Sequence, residues 1–195
     1  DSDFNEKGDL SYAEFYIKGK VSKEIFFSSY VCHPQMVNNE LSGPAVLTGI
    51  ANQLKHSENY YSYRFVLIPE TIGSIAYLSL NLDQLKQNVV GGYNITCVGD
   101  ERGWGLVPSR YGNNISDIIA DYVLNQSGKT FTKFSWLDRG SDERQYCSPN
   151  VDLPMSSITR SKYGEYPEYH TSLDNFDLVT ENGLNESLEI YLKCI

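Results

Sequence analysis

Histidine is scarce in this chain, with three in 195 residues, and two of the three stand among carboxylates and amides. His33 opens the stretch "HPQMVNNELSGP" directly after the apolar run "EIFFSSYV", ahead of Asn38, Asn39 and Glu40. His170 lies in "SKYGEYPEYHTSLDN" with Tyr169, Thr171 and Asp174 around it, while Glu70 and Thr71 follow "YRFVLIP" and Asp100 and Glu101 follow "NITCVG". Neutral imidazoles and carboxylate oxygens are the donors a zinc ion takes. Water on such an ion is acidic enough to attack a carbonyl, and a spare glutamate can remove its proton.

Those residues do chemistry together only if the elements before them deliver them to one place. "AEFYIKGK" alternates apolar and polar positions and "VSKEIFFSSYV" is nearly continuous in apolar ones, which predicts a hairpin whose second strand is buried on both faces. From Ser42 the spacing turns helical, with Val46, Ile50 and Leu54 on one stripe. "YRFVLIPE" predicts a buried strand stopped by Pro69, and a helix follows from near Gly73 or Ser74. "NVVGGYNITCVGD" predicts a strand ending at Gly99 and Asp100. "NNISDIIADYVLNQSG" predicts a helix capped by Asn114 and stopped by Gly128. "VDLPMSSI" reads as a short strand, and "TENGLNESLEIYLKCI" as an amphipathic helix.

Strands alternating with helices predict an α/β fold: a three-layer αβα sandwich on a mixed sheet with a parallel centre, formed by residues 1–195 as a single domain. In such sheets ligands bind beyond the carboxyl ends of the central strands. His33, Glu70 and Asp100 all follow expected strand ends.

The formal net charge of −9 disfavours nucleic acid and anionic membrane surfaces as partners. No apolar run approaches the ~20 residues that span a bilayer, and the four cysteines are spread without paired spacing. A soluble, cytoplasmic protein with reduced thiols is expected. The chain opens at Asp1 without a methionine and closes on an apolar helix, so it reads as an ordered portion of something longer, with flanking domains.

Other chemistries fit less well. No Gly-x-Ser-x-Gly elbow is present. Cys32 beside His33 would suit a thiol nucleophile, but neighbours along a strand point to opposite faces, so a buried structural cysteine is expected. "LDRGSDERQY" reads as a solvated loop from which Asp142, Glu143 and Arg144 could bind the charged ends of a substrate. His56 reads as a solvent-facing residue at a helix end.

Taken in order, "CHPQMVNNELSGP", "IPETIGSIAYL", "VGDERGW", "DRGSDERQYCSPNVDLP" and "GEYPEYHTSLDN" resemble the zinc aminopeptidase superfamily. More narrowly they resemble the aminopeptidase-like proteins that accompany bacterial polysaccharide-biosynthesis enzymes. The resemblance covers almost the whole chain. It implies that His33 and His170 bind zinc, that Asn39 stands where the superfamily has a bridging aspartate, that Glu70 is the general base with Thr71 at a ligand position, and that Asp100 is a further ligand. A neutral Asn39 does not balance two dications, so one zinc ion is implied rather than two. It would be held by His33, Asp100 and either His170 or Glu70.

The implied activity is hydrolysis of an amide bond in a small peptide or aminoacyl compound. Arg144 and tyrosines of the late loop, Tyr169 among them, would shape the cleft. The alternative is a catalytically silent peptidase-like module that binds a sugar or peptide in polysaccharide biosynthesis.

Overall fold

The computed structural model describes residues 5–195; the opening at Asp1 lies outside the described residues. Strands β1 (Ala13–Ile17), β2 (Glu24–Tyr30), β3 (Ser62–Ile68), β4 (Val89–Asn94), β5 (Gly105–Val107), β6 (Thr132–Lys133) and β7 (Met155–Thr159) form one sheet in the order β1-β3-β2-β4-β7-β5-β6. The central strands β3, β2, β4 and β7 are parallel. β1 lies antiparallel on β3, β5 antiparallel on β7, and β6 parallel to β5.

Side-chain alternation along the central strands feeds two cores. Phe26, Val66 and Met155 face one side, against Tyr77, Leu78 and Leu85 of helix α2 (Ile72–Asn88) and Tyr146 of the short α4 (Glu143–Tyr146). Phe27, Phe65, Tyr93 and Ile158 face the other. There they meet Val46 and Ile50 of α1 (Ser42–Leu54), Leu124 of α3 (Ile115–Gln126) and Ile190 of α5 (Glu181–Lys193). Burial of each such side chain contributes about 1.5–3 kcal/mol. The outcome is the three-layer αβα sandwich that the strand–helix alternation predicts.

The leading hairpin is not formed. β2 is apolar on both faces, so both of its edges are taken by the parallel strands β3 and β4, and β1 pairs with β3 instead. The link from β1 to β2 crosses the start of β3, where Lys20 and Val21 N–H donate to the carbonyls of Asn59 and Tyr60, each at 3.0 Å. Gly19 fits this crossing because a Cβ there would stand 2.2 Å from the Tyr61 carbonyl oxygen. β4 also ends earlier than its apolar run suggests, at Asn94, and residues up to Asp100 continue as buried irregular chain.

The helix caps follow their sequence signals. Asn114 Oδ1 accepts from the N–H groups of Ser116 and Asp117, and the Asp117 carboxylate accepts the Asn114 N–H in return. Gly128 has φ +67° at the end of α3. Among the described residues, no helix is long and apolar enough to cross a membrane.

Candidate active site at the carboxyl edge of the sheet

β2 ends at Tyr30, and Val31 N–H makes one more bond, to the Ile68 carbonyl at 2.9 Å. Beyond it the alternation of a strand no longer applies, and Cys32 and His33 turn towards the same place. With Glu40 they offer a sulfur, a nitrogen and an oxygen, all within 4.8 Å of one another. This corrects the expectation for Cys32, which is an exposed free thiol and not a buried structural one.

Glu40 belongs to a single π-helical turn, Val37–Leu41, that runs into α1; such wide turns recur at functional sites. Its Oε2 accepts the Cys32 N–H at 2.7 Å, while its buried Oε1 has no partner. Burial raises the Glu40 pKa, against the Cys32 and His33 amides and the His33 ring, which lower it. Burial and the carboxylates of Glu40, Glu70 and Asp142 push the Cys32 thiol up.

The late loop fastens this turn from outside. Asp174 Oδ1 accepts the Asn38 N–H at 2.6 Å, and Oδ2 accepts the Asn39 N–H at 3.1 Å and the Tyr166 hydroxyl at 2.9 Å. The same loop carries His170, whose ring centroid lies 4.8 Å from that of His33, edge to face. Tyr169 stacks on His170 at 3.9 Å. Burial and the neighbouring His33 lower the His170 pKa, with Asp174 opposing, which favours the neutral ring a metal needs.

Glu70 follows β3 and is half-buried. Burial raises its pKa and Glu143 adds to the rise, while the Ser141 hydroxyl and the charges of Arg144 and His33 lower it. The next residue, Thr71, has φ 62° and ψ −68°, and the Ile72 N–H reaches back to the Glu70 carbonyl at 2.7 Å. This is a γ-turn of the rare positive-φ kind, strained for a β-branched residue.

Asp142, expected to meet charged ends of a substrate, is fully buried beneath this turn. Its Oδ1 accepts from Thr71 N–H and Ser74 Oγ, each at 2.8 Å, and its buried Oδ2 has no partner. Burial pushes its pKa up to about 7. Glu143, from the same loop, is also buried, accepting from Gly140 and Ser141 N–H and from the Tyr163 hydroxyl. Arg144 is exposed and reaches Thr71 Oγ1 at 3.4 Å. His56 is exposed just beyond α1.

Two expected ligands stand apart from this cluster. Asp100 is fully buried and its carboxylate is saturated. Oδ1 accepts from Arg102 N–H and Ser161 Oγ, each at 2.9 Å, and Oδ2 from Asn38 Nδ2 at 3.0 Å and Ser161 N–H at 2.9 Å. It therefore braces its own loop. Asn39 turns its Nδ2 to the Tyr30 hydroxyl and leaves Oδ1 buried without a partner.

Donors on one tetrahedral zinc stand about 3.5 Å apart with bonds near 2.0–2.3 Å. The Cys32, His33 and Glu40 atoms need only small rotations to reach that spacing, and the buried Glu40 Oε1, which has no partner, is a carboxyl oxygen free to take a cation. The mixed S, N and O donor set also suits zinc better than magnesium or calcium. The residues present fit the metal.

The chain is 43% identical over 190 residues to a Clostridium acetobutylicum protein described as a polysaccharide biosynthesis protein with an aminopeptidase-like domain, covering 97% of this chain and 43% of that one. A crystal structure from the same organism, described as a peptidase, superposes with a TM-score of 0.90 at 42% identity, over 94% of this chain and 43% of that chain. The chain thus spans less than half the length of these relatives. BSAP, a zinc aminopeptidase from Bacillus subtilis, superposes with a TM-score of 0.77 at 18% identity, over 94% of this chain and 48% of its own, which establishes the shared fold. The sheet order, the site at its carboxyl edge and the match of residues 4–195 to the family described as Domain of unknown function (DUF4910) lead to one conclusion: the chain belongs to that family and is a peptidase-like domain of aminopeptidase fold.

Proposed function

We propose that this domain is an amide hydrolase built around one zinc ion, held by Cys32, His33, Glu40 and His170, with Glu70 as its general base. The observation that supports this reading is the convergence of the Cys32, His33 and Glu40 donor atoms within 4.8 Å of one another, with the His170 ring centroid 4.8 Å from that of His33, beside a half-buried glutamate whose pKa is raised. When bound, zinc supplies a Lewis acid for the scissile carbonyl and an acidified water.

The residues of the chain do the rest. Glu70 takes a proton from water as the oxygen adds to the acyl carbon, then returns it to the amine as the C–N bond breaks. A raised pKa suits that double duty, because it makes the carboxylate a stronger base for the proton it takes from water. Tyr169, stacked on His170, fixes the ring's orientation. Asn39, being neutral, and Asp100, being saturated with hydrogen bonds, support a single ion over two. The substrate is a short peptide or aminoacyl compound, and the description of the Clostridium relative supports a setting in polysaccharide biosynthesis.

The test uses the natural full-length protein. Zinc content after dialysis should be near one per chain, and release of a chromophore from an aminoacyl anilide should stop on chelation. Glu70→Gln should lower kcat by about 10²–10⁴-fold with zinc content unchanged. Protein that neither retains nor binds zinc, and cleaves nothing, would instead be a silent binding module.

A further inference from the structure

The chain has six arginines. Four of them pair with carboxylates: Arg64 with Glu14 and Glu24, Arg102 with Glu168, Arg110 with Asp152 and Arg160 with Glu186. Arg139 and Arg144 have no carboxylate within ion-pair distance among the described residues, and both line one groove of ≈ 620 Å³ between α2 and the segment around α4. In a chain of formal net charge −9, two guanidiniums without an ion-pair partner on one wall mark where an anion is attracted.

Apolar side chains, among them Ile75 and Leu82 of α2 and Trp136, share the lining with Ser79, Ser148 and the Asp152-paired Arg110. The Arg139 guanidinium is stacked 4.4 Å from the Trp136 ring centroid, which holds its plane in place. Two polar atoms of the wall, Arg139 Nε and Gln145 Oε1, make no hydrogen bond with any described residue. The groove thus presents positive charge without an ion-pair partner beside apolar side chains.

It also adjoins the reacting centre. Arg144 bonds the hydroxyl of Thr71, the residue after Glu70, and its charge lowers the Glu70 pKa. Glu70 delivers its proton to the amine that leaves, so the groove lies on the leaving-group side.

We infer that this groove binds the leaving-group portion of the substrate, a short peptide segment with an apolar side chain and a free C-terminal carboxylate. The carboxylate lies between Arg139 and Arg144, a planar anion matched to planar guanidiniums. The apolar side chain rests on Ile75, Leu82 and Trp136. A carboxylate is chosen over other anions because a short peptide cleaved at its amino-terminal amide already carries its C-terminal carboxylate on the leaving-group side, a fixed number of bonds from the one that breaks. The assignment rests on the hydrolase reading for its place in a reaction, but not for the binding itself.

The experiment is calorimetric titration of the full-length protein with N-acetyl-alanyl-leucine and with its C-terminal amide, neither of which carries a free amino terminus. The acid should bind at least tenfold more tightly than the amide. Arg139→Gln and Arg144→Gln should each reduce that preference to threefold or less, with circular dichroism and zinc content unchanged. Equal binding of acid and amide, or a preference that survives both substitutions, overturns the inference. So does inorganic phosphate that displaces the acid at lower concentration than the acid itself binds, since the groove would then be a phosphate site. An arginine-dependent preference for the acid in a protein that hydrolyses no leucine-terminated peptide leaves the groove assignment standing and removes the hydrolase. Hydrolysis of acid and amide substrates with equal kcat/KM, in a protein that binds both alike, does the reverse.

Discussion

The Thr71 backbone N–H donates to Asp142 Oδ1 at 2.8 Å across 71 residues of chain, and that bond holds the turn on which Glu70 is presented. Ser74 Oγ donates to the same oxygen at 2.8 Å. Asp142→Ala removes the acceptor and leaves a buried N–H and hydroxyl unpaired, which costs about 1–3 kcal/mol each at most and frees a strained γ-turn to relax. Urea denaturation should register a loss of about 2–4 kcal/mol. Asp142→Asn, which keeps Oδ1, should remain within about 1 kcal/mol of the natural protein. In activity, Asp142→Ala should lower kcat more than it changes KM, because it displaces the base and not the substrate contacts.

The Asp142 carboxyl is raised by burial from its ordinary 3.8 to about 7, so the folded state holds a proton that the unfolded chain releases. Its contribution to stability is complete below pH 4 and is lost as pH rises through about 7. Denaturation midpoints of chelator-treated protein should therefore fall between pH 5 and pH 7.5. Asp142→Asn should flatten that slope. A slope equal in both proteins would show that other groups produce it.

Metal affinity offers a check independent of turnover. Loss of even an outer partner of a zinc ligand costs about 10–100-fold in affinity, so Glu40→Gln, His33→Ala and Cys32→Ser should each weaken zinc binding by at least about tenfold in competition with a coloured chelator. Cobalt-loaded protein should show a thiolate-to-metal absorption band that Cys32→Ser abolishes. Retention of that band would remove Cys32 from the donor set.

Two substitutions near helix starts should separate stability from function. A Cβ on Gly43 would stand 2.4 Å from the Ile95 carbonyl oxygen and 2.4 Å from Ser29 Oγ, so Gly43→Ala must lift the start of α1 off the sheet. It should cost about 1–3 kcal/mol and weaken zinc binding, because the π-turn bearing Glu40 moves with it. Asn114→Ala, at the far cap of α3, should cost about 0.5–2 kcal/mol and leave zinc binding unchanged.

What the sequence disclosed, and what it hid, follows from the reach of each interaction. The buried strands β2 and β3 and the caps of α3 are local patterns, so their residues announce them. That His33 and Glu70 would lie at one edge was legible because strand ends in an α/β sheet face one side, whereas His170 comes from a loop. The pairing of β1 with β3 depends on which neighbours β2 accepts, and no local turn signal encodes it. Asp100 and Asp142 have the residue type of site carboxylates, yet their partners, Ser161 for one and Thr71 for the other, lie about 60–70 positions away. Glu40, noted beside His33, and Cys32, read as a buried structural residue, were given no ligand role for the converse reason. Only where the strand stops at Tyr30 and the wide turn opens do their side chains converge, and the sole hint was the density of polar residues from Asn38 to Glu40.

The carboxylate of Asp174 clasps amides 136 residues upstream at Asn38, and it shares its loop with His170. During synthesis on the ribosome, the first imidazole therefore emerges long before the clasp or the second one exists. A nascent or prematurely terminated chain can lay down the early strands yet remains without a finished pocket. On the zinc reading, the full donor set therefore exists only once Asp174 has emerged.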